Sequence, residues 1–157
     1  MAITKILYRN GGLRQAIDYI TNPVKTDENL LTDYVRCDPG YAAQQMMDTK
    51  HALGKTAGRQ CYHIIQSFKP DEITPELAHE IARQFAAKHL PGYEAVIATH
   101  VDKAHIHSHI VFNSVNAVTG KMYHSTRENY YKQIRGVSDW LCKAHGLSIV
   151  LENDEKK

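Results

Sequence analysis

The sequence predicts an α/β fold, a two-layer sandwich in which a mostly antiparallel central sheet of about five strands carries helices packed on it. Three observations predict it. Strand-like runs alternate with helical periodicities along the chain. The stretch from Glu94 to Asn113 reads as two adjacent strands, Glu94 to Asp102 and His105 to Asn113, with a tight Lys103-Ala104 turn between them. A turn that short makes the two strands antiparallel. Within the second strand Ile106, Ile110 and Phe112 alternate with His105, His107, His109 and Asn113, so one face is apolar and the other is not.

Each element has its own signal. Ile3 to Tyr8 reads as a first strand, ended by Asn10-Gly11-Gly12. A helix follows over residues 13–21, with Leu13, Ala16, Ile17 and Ile20 at i, i+3, i+4 and i+7, and Asn22-Pro23 stops it. Thr32 to Cys37 is a short strand and Pro39-Gly40 a turn. Tyr41 to Leu53 is a helix with Ala42, Met46 and Ala52 among its small or apolar positions. Gln60 to Phe68 is a central strand, with His63, Ile65 and Ser67 on one face and Tyr62, Ile64 and Gln66 on the other. Thr74 suits a helix N-cap, Pro75 the first helical position and Glu76 the positive end of the dipole. Leu77, Ile81 and Phe85 form that helix's buried stripe, which places His79 and His89 at exposed or boundary positions.

Ser125 with Glu128 three residues on is a capping-box pattern, opening a helix over 126–144 with Tyr130, Ile134, Val137 and Leu141 inward. Gly146 occupies the C-terminal cap, and Leu147 to Leu151 reads as a final strand. Residues 1–151 therefore form one domain, and 152–157 a polar tail at a domain boundary.

A hydrophobic content of 43% and a charged content of 23% suit an ordinary globular protein. No run approaches the roughly 20 apolar residues of a membrane span. Three cysteines, Cys37, Cys61 and Cys142, are odd in number and lack metal-site spacing, which favours buried thiols in a reducing cytoplasm. The net charge of +2 is small, but Lys5, Arg9, Arg14 and Lys25 are concentrated near the start, and Lys121, Arg127, Lys132 and Arg135 late in the chain. Both excesses could follow a phosphate backbone or simply be solvated faces. Gly54-Lys55-Thr56 imitates the end of a phosphate loop, but Lys50 stands where the upstream glycine belongs, so that reading is rejected.

The histidine stretch carries the chemistry. Four of the ten histidines lie within ten positions, and three recur at period two beside a fourth that is followed by Asp102. Neutral imidazole is the commonest metal ligand, and three protein ligands with an open position is the pattern of catalytic sites. Asp102 would hold a ligand's tautomer. The residues alone leave two ligand sets, His100 with His107 and His109, or His100 with His105 and His107; the bland reading is a His-rich surface hairpin.

The run His100-x-Asp102-x4-His107-x-His109 resembles the metal-binding motif of conjugative relaxases, the mobilisation nucleases of the endonuclease superfamily named for a His-hydrophobic-His pair. The resemblance implies His100, His107 and His109 as ligands and leaves His105 as a contact to the substrate or to a metal-bound residue. One departure is Ser108, which stands where the pair has a hydrophobic residue. Leu13 to Thr21 is similar to the first motif of the P-class mobilisation relaxases, in which the tyrosine before Ile-Thr is the nucleophile; here that is Tyr19. Without the resemblance Tyr19 reads as an edge-of-core aromatic. Tyr8, Tyr62, Tyr130 and Tyr131 are its competitors. The run Tyr62 to Phe68 is similar to the family's second motif, whose serine, Ser67 here, contacts DNA near the nick. His63 reads as a satisfied sheet histidine, off the ligand set.

The resemblance implies a metal-dependent transesterase that nicks single-stranded DNA at a transfer origin and leaves a 5′-phosphotyrosine. Asp102 would assist proton removal or orient a histidine. Arg9, Arg14, Arg127, His105 and Asn113 are candidate DNA contacts. Manganese or magnesium is the expected ion, with zinc or nickel compatible with three imidazoles. Accessory relaxosome proteins are expected partners. A rolling-circle replication initiator, a small metallohydrolase using activated water, and a non-enzymatic single-strand binder with a structural metal are the alternatives.

Overall fold

A computed structural model describes residues 2–26, 31–69, 71–101 and 105–149. Strands β1 (Ala2–Arg9), β2 (Thr32–Val35), β3 (Cys61–Phe68), β4 (Ala95–His100) and β5 (Ile106–Asn113) form one open sheet in the order β1-β3-β5-β4-β2. Every neighbouring pair is antiparallel. Helices α1 (Leu13–Ile20), α2 (Ala42–Leu53), α3 (Pro75–His89) and α4 (residues 127–144) pack on it. This is the predicted α/β class, an antiparallel sheet of five strands with helices on it, but helices lie on both faces of the sheet rather than in one layer. Among the described residues no helix is long and apolar enough to cross a membrane.

The two faces are covered unequally. Ile64, Phe68, Ile97, Ile110 and Phe112 face α3 and α4, where Ile81, Phe85, Ile134 and Leu141 complete the larger core. On the other face α1 and α2 cover β4 and β5 through Leu13, Ile17, Ile20 and Met46, packed on Val96, Ala98 and Val111. Over β1 that second face is open: Ile3, Lys5, Leu7 and Arg9 are all exposed.

Local signals explain most boundaries. Thr74 Oγ1 accepts the Leu77 N–H at 3.2 Å, with Pro75 next to it, as the sequence predicts for the start of α3. Gly146 takes the left-handed conformation (φ 73°) just past α4. All three cysteines are buried thiols.

Five expectations change. Helix α4 is capped by Thr126, whose Oγ1 accepts the Asn129 N–H at 3.0 Å, rather than by Ser125. It contains a π-helical stretch, Tyr130–Arg135, between α-helical Arg127–Asn129 and Gly136–Ala144. The buried stripe of α2 is Ala42, Met46 and Lys50, at i, i+4 and i+8; Ala52 falls on the exposed side. His79 is buried, because its ring bonds Asp33 at 2.5 Å and Thr99 at 3.0 Å and so joins α3 to β2 and β4. Residues 147–149 do not form a strand; Leu147 and Ile149 pack against the larger core instead. The rest of that expected strand, and the 102–104 turn, lie outside the described residues.

Candidate active site

The sheet register sets the histidines side by side. Ser67 on β3, His107 on β5 and His100 on β4 are cross-strand partners in one row. Ile65, His109 and Ala98 form the next row. Alternation projects His100, His107, His109, Ser67 and His63 from the same face. The His100 and His109 ring centroids are 4.0 Å apart, and those of His107 and His109 6.4 Å. His100 and His109 are buried, and His107 is half-buried.

Helix α1 delivers Tyr19 to this row. Ile17 and Ile20 anchor the helix in the smaller core, which turns Tyr19 outward, 49% exposed. Its ring meets His100 edge-on at 5.8 Å and His109 at 6.2 Å. The His100 Nε2–H donates to the Ile20 carbonyl at 3.0 Å, so the turn that carries Tyr19 is bonded to the histidine beside it. Lys25 Nζ lies 4.6 Å from the centre of the Tyr19 ring, and its carbonyl accepts the Val101 N–H at 2.7 Å, which ties this segment to the end of β4.

Hydrogen bonds orient the imidazoles. His63 Nε2 lies 2.7 Å from His109 Nδ1, and His107 Nδ1 lies 3.4 Å from Ser67 Oγ. Burial lowers the pKa of His109 far below the usual imidazole range, helped by His100, His63 and His107 around it. Burial likewise lowers that of His63 to about 4, with the charge of Arg9 adding to it. Both rings are therefore neutral at pH 7.

Tyr19 stands beside His100 and His109 on two antiparallel strands. The family model described as "Relaxase: MobA/VirD2-like, nuclease domain" matches residues 19–147. The chain belongs to this relaxase family.

The relaxase domain is 36% identical over 149 residues to protein rlx of Staphylococcus aureus, covering 95% of this chain and 45% of the relative. It thus spans less than half the length of the curated rlx proteins it matches. It is 43% identical to the group II intron-interrupted relaxase LtrB of Lactococcus lactis subsp. cremoris, over 57% of this chain and 18% of that one. Among solved structures, the MobM relaxase domain bound to plasmid pMV158 oriT DNA and manganese superposes with a TM-score of 0.67. The identity there is 16%, with 99% of this chain and 93% of MobM covered, so the likeness is one of fold.

The donor set of the relaxase domain fits a divalent ion in its chemistry. Ligation needs neutral imidazole, and burial keeps His109 neutral. The bond from His100 Nε2–H to the Ile20 carbonyl leaves Nδ1 as the nitrogen of this ring available to a ligand. An ion ~2.1 Å from each ring nitrogen keeps ligating ring centroids within roughly 6.5 Å of one another. That limit is for nitrogens on opposite sides of an ion; at a tetrahedral angle it is about 5.3 Å, which the 4.0 Å between His100 and His109 meets and the 6.4 Å between His107 and His109 does not. Among the described residues no three His, Cys, Asp or Glu side chains already converge as a metal-holding group.

The remaining predicted residues are more dispersed. His105 is exposed just before β5, its ring 6.3 Å from that of His107. Asp102 lies outside the described residues. Arg9 is exposed at the end of β1 on the histidine face. Arg14 sits near the start of α1, over a groove shared with Gly40, Ala43 and Met47 of the α2 region. Arg127 opens α4, which packs on the opposite face, and its guanidinium lies 5.7 Å from the Tyr131 ring.

Asn113 is a correction. It is on the histidine face but fully buried under α2, where its amide donates to Glu94 Oε1 at 2.9 Å and to the Met46 carbonyl at 3.1 Å, and its Oδ1 accepts from Lys50. It cannot meet a nucleic acid in this fold.

Three residues near the site are not among the site residues assigned from sequence. Lys5 stands in the same cross-strand row as Ile65 and His109, exposed on the open half of the face. Lys25 covers Tyr19. His63 bonds His109. The period-two pattern of β3 already put His63 on the face of Ser67, but only the register to β5 shows what it touches.

Proposed function

We propose that this relaxase domain nicks single-stranded DNA at a transfer origin by transesterification onto Tyr19, with a divalent metal held by His100, His107 and His109. The observation that carries the reading is the Tyr19 ring standing 5.8 and 6.2 Å from two of the three histidines. Of the tyrosines weighed, Tyr62 is buried and bonded to the Tyr123 carbonyl, and Tyr130 Oη donates to the Thr4 carbonyl. Tyr8 is stacked under Arg59 at 3.8 Å, on the strand face opposite the histidines.

Tyr19 Oη attacks the scissile phosphorus, and a P–O bond to tyrosine forms as the bond to O3′ breaks. The phenolic proton leaves Oη and a proton is taken up at O3′, so charge balances. One phosphodiester replaces another, which makes the step reversible and allows later rejoining. A phenol is a weak nucleophile at neutral pH and needs such a site. A divalent ion, when bound, stabilises the charge that develops on the phosphate oxygens. The histidines orient it from rigid central strands. Lys25 and Lys5 flank the row as cations facing the phosphate backbone, and Ser67 sits beside His107 to contact the strand near the nick. Asp102 is assigned proton removal or histidine orientation from the motif alone.

Substrate access favours a single strand, because a stacked duplex obstructs in-line approach of a tyrosine to one phosphate. MobM, which shares this fold, carries oriT DNA and manganese in its structure, which supports transfer-origin DNA as the substrate and a divalent ion at the site. Manganese or magnesium is the proposed ion, accessory relaxosome proteins the proposed partners, and the cytoplasm the proposed compartment.

Covalent capture tests the reading. The protein and Tyr19→Phe are incubated with a randomised single-stranded DNA pool and Mn²⁺, denatured, and DNA still attached to protein is sequenced. Adducts in the wild type alone are expected. Adducts in both would move the nucleophile to another tyrosine, and free cleaved DNA without adduct would mark a hydrolase.

A further inference from the structure

We propose that His63 is a positioning residue that locks His109 in the tautomer able to bind a metal through Nε2; the proposal rests on the three-histidine reading above. His63 Nε2 and His109 Nδ1 are 2.7 Å apart, and both rings are buried. A bond that short between two ring nitrogens holds one proton. If His63 donates it, neutral His109 must carry its own proton on Nε2 and has no lone pair there. If His109 donates, Nε2 presents its lone pair, and His63 keeps its proton on Nδ1.

Neutral imidazole in water favours the proton on Nε2, so His109 left alone defaults to the form that cannot ligate at that atom. A fixed acceptor at Nδ1 reverses the preference. The register supplies one. Ile65 pairs with His109, and His63, two residues earlier on β3, reaches diagonally to it on the same face. His63 shares its own row with Leu7 and Val111, which offer no side-chain polar group, and among the described residues its hydrogen-bonding partner is His109.

Ligating histidines usually donate to a carboxylate, carbonyl or water. Here the acceptor is a neutral ring, which orients His109 without setting a negative charge beside the DNA phosphate.

Two variants separate the roles of shape and acceptor. His63→Phe keeps a ring and removes the acceptor, whereas His63→Gln keeps an acceptor oxygen. Histidine ¹⁵N spectra of the metal-free protein report the His109 tautomer, assigned by the signals lost in His109→Ala, and Mn²⁺ and Co²⁺ titration calorimetry reports affinity. We expect the Nδ1–H form of His109 in wild type and in His63→Gln, and loss of that preference in His63→Phe. Metal affinity should fall about 10- to 100-fold in His63→Phe and be largely restored in His63→Gln. An Nε2–H His109 in wild type, or a His63→Phe variant that binds metal as tightly as wild type, would overturn the proposal while leaving the three-histidine site standing. Wild type that binds no metal would overturn the site and this inference together.

Discussion

The Tyr19 ring meets the His100 ring edge-on, centroids 5.8 Å apart and planes at 75°. The contact joins the end of α1 to the end of β4, elements separated by some eighty residues of chain and linked again by the bond from His100 to the Ile20 carbonyl. A half-exposed phenol contributes little to folding, so Tyr19→Phe should change stability by less than about 0.5 kcal/mol. Metal affinity should also be unchanged, while nicking should fall by roughly 10⁴-fold or more, as when a nucleophile is removed. Thermal unfolding, metal calorimetry and a labelled-oligonucleotide nicking assay on one preparation check all three.

Two of the three histidines differ in how much the fold depends on them. His100 is buried and bonded to Ile20, whereas His107 is half-buried beside Ser67. Both alanine variants should lose metal-supported nicking. Only His100→Ala should unfold measurably earlier, by about 1–2 kcal/mol, because it leaves a carbonyl without its donor. Denaturant melts without metal make the comparison.

Lys5, Arg14 and Arg127 divide the basic residues by place. Lys5 lies on the open face in the His109 row, Arg14 over the α1–α2 groove and Arg127 on α4. Lys5→Ala should weaken single-strand binding and lower the salt slope by about 0.7, one phosphate contact. Arg14→Ala and Arg127→Ala should leave that slope alone. Fluorescence anisotropy over a salt series measures it.

Asn113→Ala should act on stability and not on DNA. The side chain satisfies Lys50, Glu94 and Met46 in a site with no water access, so truncation should cost about 2–3 kcal/mol. Affinity for a single strand, corrected for the folded fraction, should match wild type; a selective loss of DNA binding would contradict the burial.

His89 should make stability fall in mild acid. Its ring bonds Tyr123 at 2.6 Å, and burial lowers its pKa from 6.5 to about 4. Between those values the unfolded chain holds the extra proton, so this contribution is complete above pH 6.5 and is lost as pH falls toward 4. The change is at most about 3 kcal/mol. His89→Gln should flatten the wild-type slope across that window in urea melts at stepped pH.

Read alone, the sequence determined the element order, the period-two face carrying His100, His107 and His109, and Tyr19 as the residue to test. The first two follow from local rules, alternation on a strand and 3.6-residue periodicity on a helix, and Tyr19 from the resemblance of Leu13 to Thr21 to the family's first motif. What lies across the sheet is not local. Strand register decided that Ser67, His107 and His100 share a row, that His63 meets His109, and that Lys5 extends the same surface. Helix packing decided that Asn113 is sealed under α2 while Lys5, on the same face, meets solvent, since α1 and α2 cover β4 and β5 but not β1. Alternation tells which face a side chain takes; only the pairing of distant strands, and the layer above them, sets its neighbours and whether water or a DNA strand can reach it.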